Sequence, residues 1–167
     1  MSAERKILLI YTGGTIGSVQ DPMTGSLVPI DFSQITRHVP ELNRAGISID
    51  SVSFQPPIDS SNVTPMHWKK IAGVVMKKHE LYDGFVVLHG TDTMSYTASA
   101  LSFMLEGLRK PVIITGSQLP IGMPRTDGRE NLLSAVMLAA HPNPENPDSN
   151  RSQWGESTIQ EVAVYFG

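Results

Sequence analysis

Residues 7–18 read ILLIYTGGTIGS, an uncharged apolar run followed by two threonines and three glycines. A run this continuously apolar suits a strand covered on both faces, as in a parallel sheet, better than a strand with one wet side. The glycines that follow allow a tight turn, because they reach backbone conformations closed to other residues. FVVL at 85–88 and VIIT at 112–115 have the same character. Together with Lys6–Tyr11, the runs Ile47–Phe54, Gly84–Leu88, Pro111–Thr115 and Glu161–Phe166 give five expected strands.

Helical patterns separate them. Asp31 can cap a short helix through Arg37, ahead of Pro40. Thr64-Pro65 is an N-cap and first-turn pair that opens a helix running to about Glu80. A third helix is expected from Met94 to Leu105, before Gly107, and a fourth after Asp127, through ENLLSAVMLAA, ending before Pro142. Alternation of strand and helix predicts an α/β fold: a parallel Rossmann-like or flavodoxin-like sheet with right-handed crossovers and helices on both faces. The polar, proline-rich stretch HPNPENPDSNRSQWGES at 141–157 reads as a mobile loop.

Composition narrows the function. The 167 residues fit one domain, and 40% hydrophobic with 17% charged residues describes a globular chain. A net charge of −3, with no basic tract longer than a pair, argues against nucleic acid as a partner. Without cysteine there are no disulfides, thiolate metal sites or cysteine nucleophile. The five histidines show no metal-ligand spacing, so no metal is expected. No apolar run approaches the roughly 20 residues of a membrane span, and the N-terminus lacks a signal-peptide pattern, which predicts a cytoplasmic protein.

In an open parallel sheet, ligands bind beyond the carboxyl ends of the strands. The four expected exits read TGGTIGS, PPIDSSN, HGTDTMSY and GSQLP, and all four carry hydroxyls. Each has an ordinary reading too: a glycine turn, an Asx turn at Asp59, an N-cap before the third helix, and a packed histidine at His89. Asp21, Asp127 and Glu130 read as loop and helix-start charges. A phosphate cradle needs a helix directly after the glycines. SVQDPMTGSLVP, with two prolines and a glycine, does not supply one, and neither the Walker nor the dinucleotide spacing is present. Threonine is a poor nucleophile unless a base or lowered pKa assists it, and glycine-loop amides can stabilise an oxyanion. Two threonine-bearing loops with carboxylates and serines therefore suit acyl transfer on a small amino acid.

YTGGTIG, DSS, HGTDTM and TGSQLP, in this order and at strand exits, resemble the bacterial type I L-asparaginases, the cytoplasmic branch of the threonine-dependent asparaginase/glutaminase family. The likeness runs through nearly the whole chain, including DGRENLLSAV. It implies hydrolysis of L-asparagine to L-aspartate and ammonia, with no cofactor. Under the resemblance, Thr15 is the nucleophile that forms a β-aspartyl ester. Thr91 positions water and stabilises the oxyanion, and Asp92 holds the α-amino group. Asp59, Ser60 and Ser61 bind the α-amino and α-carboxylate groups, Ser117 lines the pocket, and Thr12 is structural.

Two departures follow. The family's mobile-loop tyrosine has no counterpart in SVQDPMTGSLVPIDF, where Ser26 and Leu27 stand closest, and Tyr11 on the strand is no substitute. The family's catalytic lysine would lie after Gly167, and Lys69, Lys70, Lys77, Lys78 and Lys110 do not replace it. The resemblance therefore reads residues 1–167 as an N-terminal catalytic domain, weakly active or inactive alone. It lacks the smaller C-terminal domain and belongs to a homo-oligomer, a dimer or tetramer, when complete. A tRNA-dependent amidotransferase subunit, an amino-acid-binding module without turnover, and a nucleotide-binding Rossmann domain are the competing readings. The first is disfavoured because nothing precedes the first strand, and the last because no helix follows the glycines.

Overall fold

The structure is a computed structural model that describes residues 5–21, 23–30, 35–44, 46–141 and 159–167. The elements in chain order are β1 (Arg5–Tyr11), β2 (Ser18–Gln20), β3 (Leu27–Pro29), α1 (Ile35–His38), β4 (Ile47–Ser53), α2 (Pro65–Lys78), β5 (Gly84–Leu88), α3 (Met94–Met104), β6 (Val112–Thr115), α4 (Gly128–Ala140) and β7 (Val162–Val164). The expected cap at Asp31 and nearly all of the loop at 141–157 lie outside the described residues.

All five expected strands join one parallel sheet, in the order β4-β1-β5-β6-β7. Ile7 of β1 stands between Ile49 of β4 and Gly84 of β5, which fixes the register of the three strands that carry the site. Gly84 is required at that point, because a Cβ there would lie 2.4 Å from the Ala139 carbonyl oxygen.

The unbroken apolar character of β1, β5 and β6 comes from coverage on both sides. Ile7, Leu9, Val86, Leu88 and Ile113 pack with Leu132, Ala135, Val136 and Ala139 of α4 on one face. Leu8, Ile10, Phe85, Val87, Val112 and Ile114 pack with Ile71 and Val75 of α2 and Leu101 of α3 on the other. Successive residues alternate between these layers, so each strand needs an apolar side chain at every position. Edge strand β4 is covered less completely, and its ISIDSVS sequence alternates accordingly.

Pro65 occupies the first turn of α2, and the Thr64 amide donates to His67 Nδ1 at 3.0 Å, so a histidine fills the place usually taken by glutamate in a capping box. The antiparallel hairpin of β2 and β3 was not expected from the sequence. Its strands are three residues each, too short for an alternation signal, and Asp21 builds the turn. The Asp21 carboxylate accepts from the Met23 and Thr24 amides at 2.7 and 3.2 Å, while its carbonyl accepts from Gly25, which has φ of 69°.

Candidate active site

The strand order reverses direction between β1 and β5, because one connection leaves β1 for β4 and the next crosses back to β5. Such a switch point leaves a crevice at the strands' carboxyl ends. A cleft of about 420 Å³ lies there, lined by residues from the exits of β1, β4 and β5.

The first loop is tied down before it reaches the cleft. Thr12 is buried, and both its amide and its hydroxyl donate to the Leu88 carbonyl, at 3.0 and 2.9 Å. Its hydroxyl is therefore spent on joining β1 to β5. Gly13 and Gly14 have φ of 151° and 87°. A Cβ on Gly13 would lie 2.0 Å from the Ile58 oxygen, and one on Gly14 2.6 Å from the Gly90 nitrogen. Only glycine lets the three loops meet backbone to backbone. Thr15 then opens a single 3-10 turn through Gly17, with no α-helix after it. Ser18 Oγ donates to the Thr15 carbonyl at 2.7 Å, and the Tyr11 hydroxyl donates to the Gly14 carbonyl at 3.3 Å. Among the described residues, the Thr15 and Thr91 hydroxyls have no hydrogen-bond partner.

The second loop supplies Asp59 and Ser60. The Asp59 carboxylate accepts from the Ser61 hydroxyl at 2.8 Å and the Ser61 amide at 3.0 Å, the Asx-turn geometry. These bonds to its charged form hold its pKa below the usual carboxylate value. Ser60 is buried, and its hydroxyl donates to Asp92 Oδ2 at 2.5 Å. The return bond runs from Thr93 Oγ1 to the Ser60 carbonyl at 2.6 Å. The ordinary N-cap reading of this exit is therefore not what the Thr93 hydroxyl does: it clasps the second loop and makes no cap bond. Gly90 completes the contact, since a Cβ there would lie 2.4 Å from Ser60 Oγ.

Thr15, Asp59, Ser60, Thr91 and Asp92 thus share one cleft. Ser61 and Ser117 are not among its lining residues. Ser61 is exposed and bonded to Asp59, whereas Ser117 is buried and donates to the Leu119 carbonyl at 2.7 Å. The strand tyrosine set aside in the sequence, Tyr11, does line the cleft, and burial pushes its phenol pKa up. Its position as the last residue of β1 was the available signal. None of the five lysines weighed in the sequence lines the cleft. Lys110 is buried where its Nζ donates to the Tyr82 carbonyl at 2.8 Å and to the His79 carbonyl, both just beyond the carboxyl end of α2.

The family model for the N-terminal region of asparaginases matches residues 6–150. The chain belongs to the asparaginase family. It is 45% identical to L-asparaginase 1 of Escherichia coli (strain K12) over 139 residues, which are 83% of this chain and 41% of that protein. It is 40% identical to the 60 kDa lysophospholipase of Homo sapiens over 186 aligned residues, covering 98% of this chain and 30% of that protein. The crystal structure of L-asparaginase I from Vibrio cholerae superposes with a TM-score of 0.80 at 41% identity, covering 99% of this chain and 45% of that one. The chain spans less than half the length of these relatives, and the sheet described above is the asparaginase N-terminal fold.

Proposed function

We propose that residues 1–167 form the catalytic N-terminal domain of an L-asparagine amidohydrolase. The observation that carries this reading is the meeting of Thr15, Thr91 and Asp92 at the sheet's switch point, beside the Asp59–Ser60 turn. In this reading Thr15 Oγ1 attacks the side-chain amide carbon of asparagine. The C–N bond breaks, the hydroxyl proton goes to the leaving nitrogen, and ammonia departs, leaving a β-aspartyl ester. Water positioned by Thr91 adds to the ester carbon, and L-aspartate leaves as the Thr15 hydroxyl is restored. Asp92 pairs with the α-ammonium, and Asp59 and Ser60 hold the α-amino and α-carboxylate groups. No cofactor takes part in this scheme. The same reading places the protein in the cytoplasm and makes it a homo-oligomer, a dimer or tetramer.

The cleft is lined mainly by Thr, Ser, Asp and glycine backbone, with Tyr11 and Pro57 as its apolar exceptions. That surface suits a small zwitterion better than the acyl chain implied by the human relative's name. The test pairs ammonia release from L-asparagine with calorimetric titration by L-aspartate, in the parent chain and in Thr15→Ala. Release that disappears in Thr15→Ala supports the hydrolase. Aspartate binding without release favours either the binding module or a catalytic domain that is inactive by itself, and the release assay then moves to the full-length protein. Absence of both overturns the amino-acid site.

A further inference from the structure

His89 is the last residue before the Gly90–Thr91–Asp92 loop, and it is 1% exposed. Its Nδ1 lies 2.6 Å from the Gly90 carbonyl oxygen, and its Nε2 lies 3.0 Å from Thr97 Oγ1 on α3. Thr97 Oγ1 also accepts from Trp68 Nε1 of α2 at 3.0 Å, and Thr97 is fully buried. The two ends of this chain fix its direction. An indole N–H only donates and a carbonyl only accepts. Nδ1 must therefore carry a proton, and in a neutral ring Nε2 must accept one from the Thr97 hydroxyl. Burial favours that neutral ring by lowering the His89 pKa, against the opposing influence of the Gly90 carbonyl and Asp92.

We infer that His89 is a positioning residue, held as the Nδ1–H tautomer by Trp68 through Thr97, which sets the peptide plane between Gly90 and Thr91. In a planar trans peptide the N–H points opposite to the C=O. Holding the Gly90 carbonyl against the buried imidazole aims the Thr91 amide the other way, and that amide has no partner among the described residues. Gly14 packs on the preceding peptide, between His89 and Gly90, since a Cβ there would meet the Gly90 nitrogen at 2.6 Å. The consequence for turnover rests on the proposed hydrolase reading, whereas the tautomer and the peptide orientation do not.

The experiment compares the parent chain with Thr97→Ser, which keeps the relay, and Thr97→Val, which leaves Nε2 and the indole N–H unpaired. Imidazole nitrogen NMR should show His89 as the Nδ1–H tautomer at neutral pH; an Nε2–H tautomer or an imidazolium overturns the inference. The Thr91 amide resonance should move in Thr97→Val and stay in Thr97→Ser. With L-asparagine, Thr97→Val should lose roughly tenfold in kcat with a smaller change in KM, as expected for one buried donor misdirected. A Thr97→Val protein with a lower melting temperature but an unmoved Thr91 resonance assigns the network to stability alone and overturns the inference. A parent chain without turnover moves the kinetic comparison to the full-length protein, and both NMR readouts still decide this inference on the chain itself. Should Thr97→Val fail to fold, Trp68→Phe removes only the terminal donor and is judged by the same resonance.

Discussion

Neighbouring strands β5 and β6 end in loops of similar composition, and the loops do opposite things. After β5, Thr91 and Asp92 face the cleft, with the Asp92 carboxylate held by Ser60. After β6, the loop satisfies itself. Ser117 and Thr126 both donate to the Leu119 carbonyl, at 2.7 and 3.0 Å, and Asp127 accepts from the Gln118 and Leu119 amides at 2.8 and 3.1 Å. Buried Asn131 closes the turn by donating to the Gly116 carbonyl at 3.0 Å and accepting from Gly167 at 3.1 Å. Asp127 is therefore more than a helix-start charge. Hydroxyl density at strand exits does not define a site; what matters is which hydroxyls the chain has already used for its own bonds.

Five substitutions test that contrast, beginning with the largest effect. Thr15→Ala removes an unspent hydroxyl. If Thr15 is the nucleophile, asparagine turnover falls at least about a thousandfold while stability stays within about 0.5 kcal/mol, measured by ammonia release and urea unfolding. A large stability loss with modest kinetic change would move Thr15 into the structural class.

Gly14→Ala strikes the contact that brings the first and third loops together. It forces a side chain into a φ of 87° and within 2.6 Å of the Gly90 backbone, so it should cost roughly 3 kcal/mol and abolish aspartate binding. Urea unfolding that matches the parent would show that the loops need not touch.

The paired serines sharpen the comparison further. Ser60→Ala should weaken aspartate binding roughly tenfold by releasing Asp92, whereas Ser117→Ala should cost about 1 kcal/mol of stability and leave binding unchanged. Equal effects on binding, read by calorimetry, would erase the difference between the two exits.

The smallest effect concerns pH. Burial holds the His89 pKa below its ordinary 6.5, so the unfolded chain takes up a proton that the folded chain resists. That contribution to stability is complete above pH 6.5 and is lost as pH falls from there through the folded value. His89→Gln should show a shallower decline of the urea midpoint below pH 6.5. An unchanged slope would mean that the folded chain protonates His89 as readily as the unfolded chain.

Much of this architecture was legible in the sequence, because β1, β5 and β6 carry unbroken apolar runs that only a doubly covered parallel strand explains. Thr15, Asp59, Ser60, Thr91 and Asp92 followed from the motifs, and the structure gathers them in one cleft. The short hairpin was invisible because three residues cannot show a period. Ser61 and Ser117 were indistinguishable from the cleft residues by type alone, since the direction of a hydroxyl depends on acceptors elsewhere in the chain. Thr97 and Trp68 gave no signal either, being separated by 29 positions and joined only through packing.

By itself the sequence determined the strand and helix alternation, the parallel sheet and the loops that could carry chemistry, since burial on two faces and glycine turns leave local marks. Tertiary structure alone decided which hydroxyls stay unspent, that Tyr11 enters the cleft, and which tautomer His89 adopts. Those outcomes depend on donors and acceptors far apart in the chain, and a hydrogen bond has no direction until both its partners are in place.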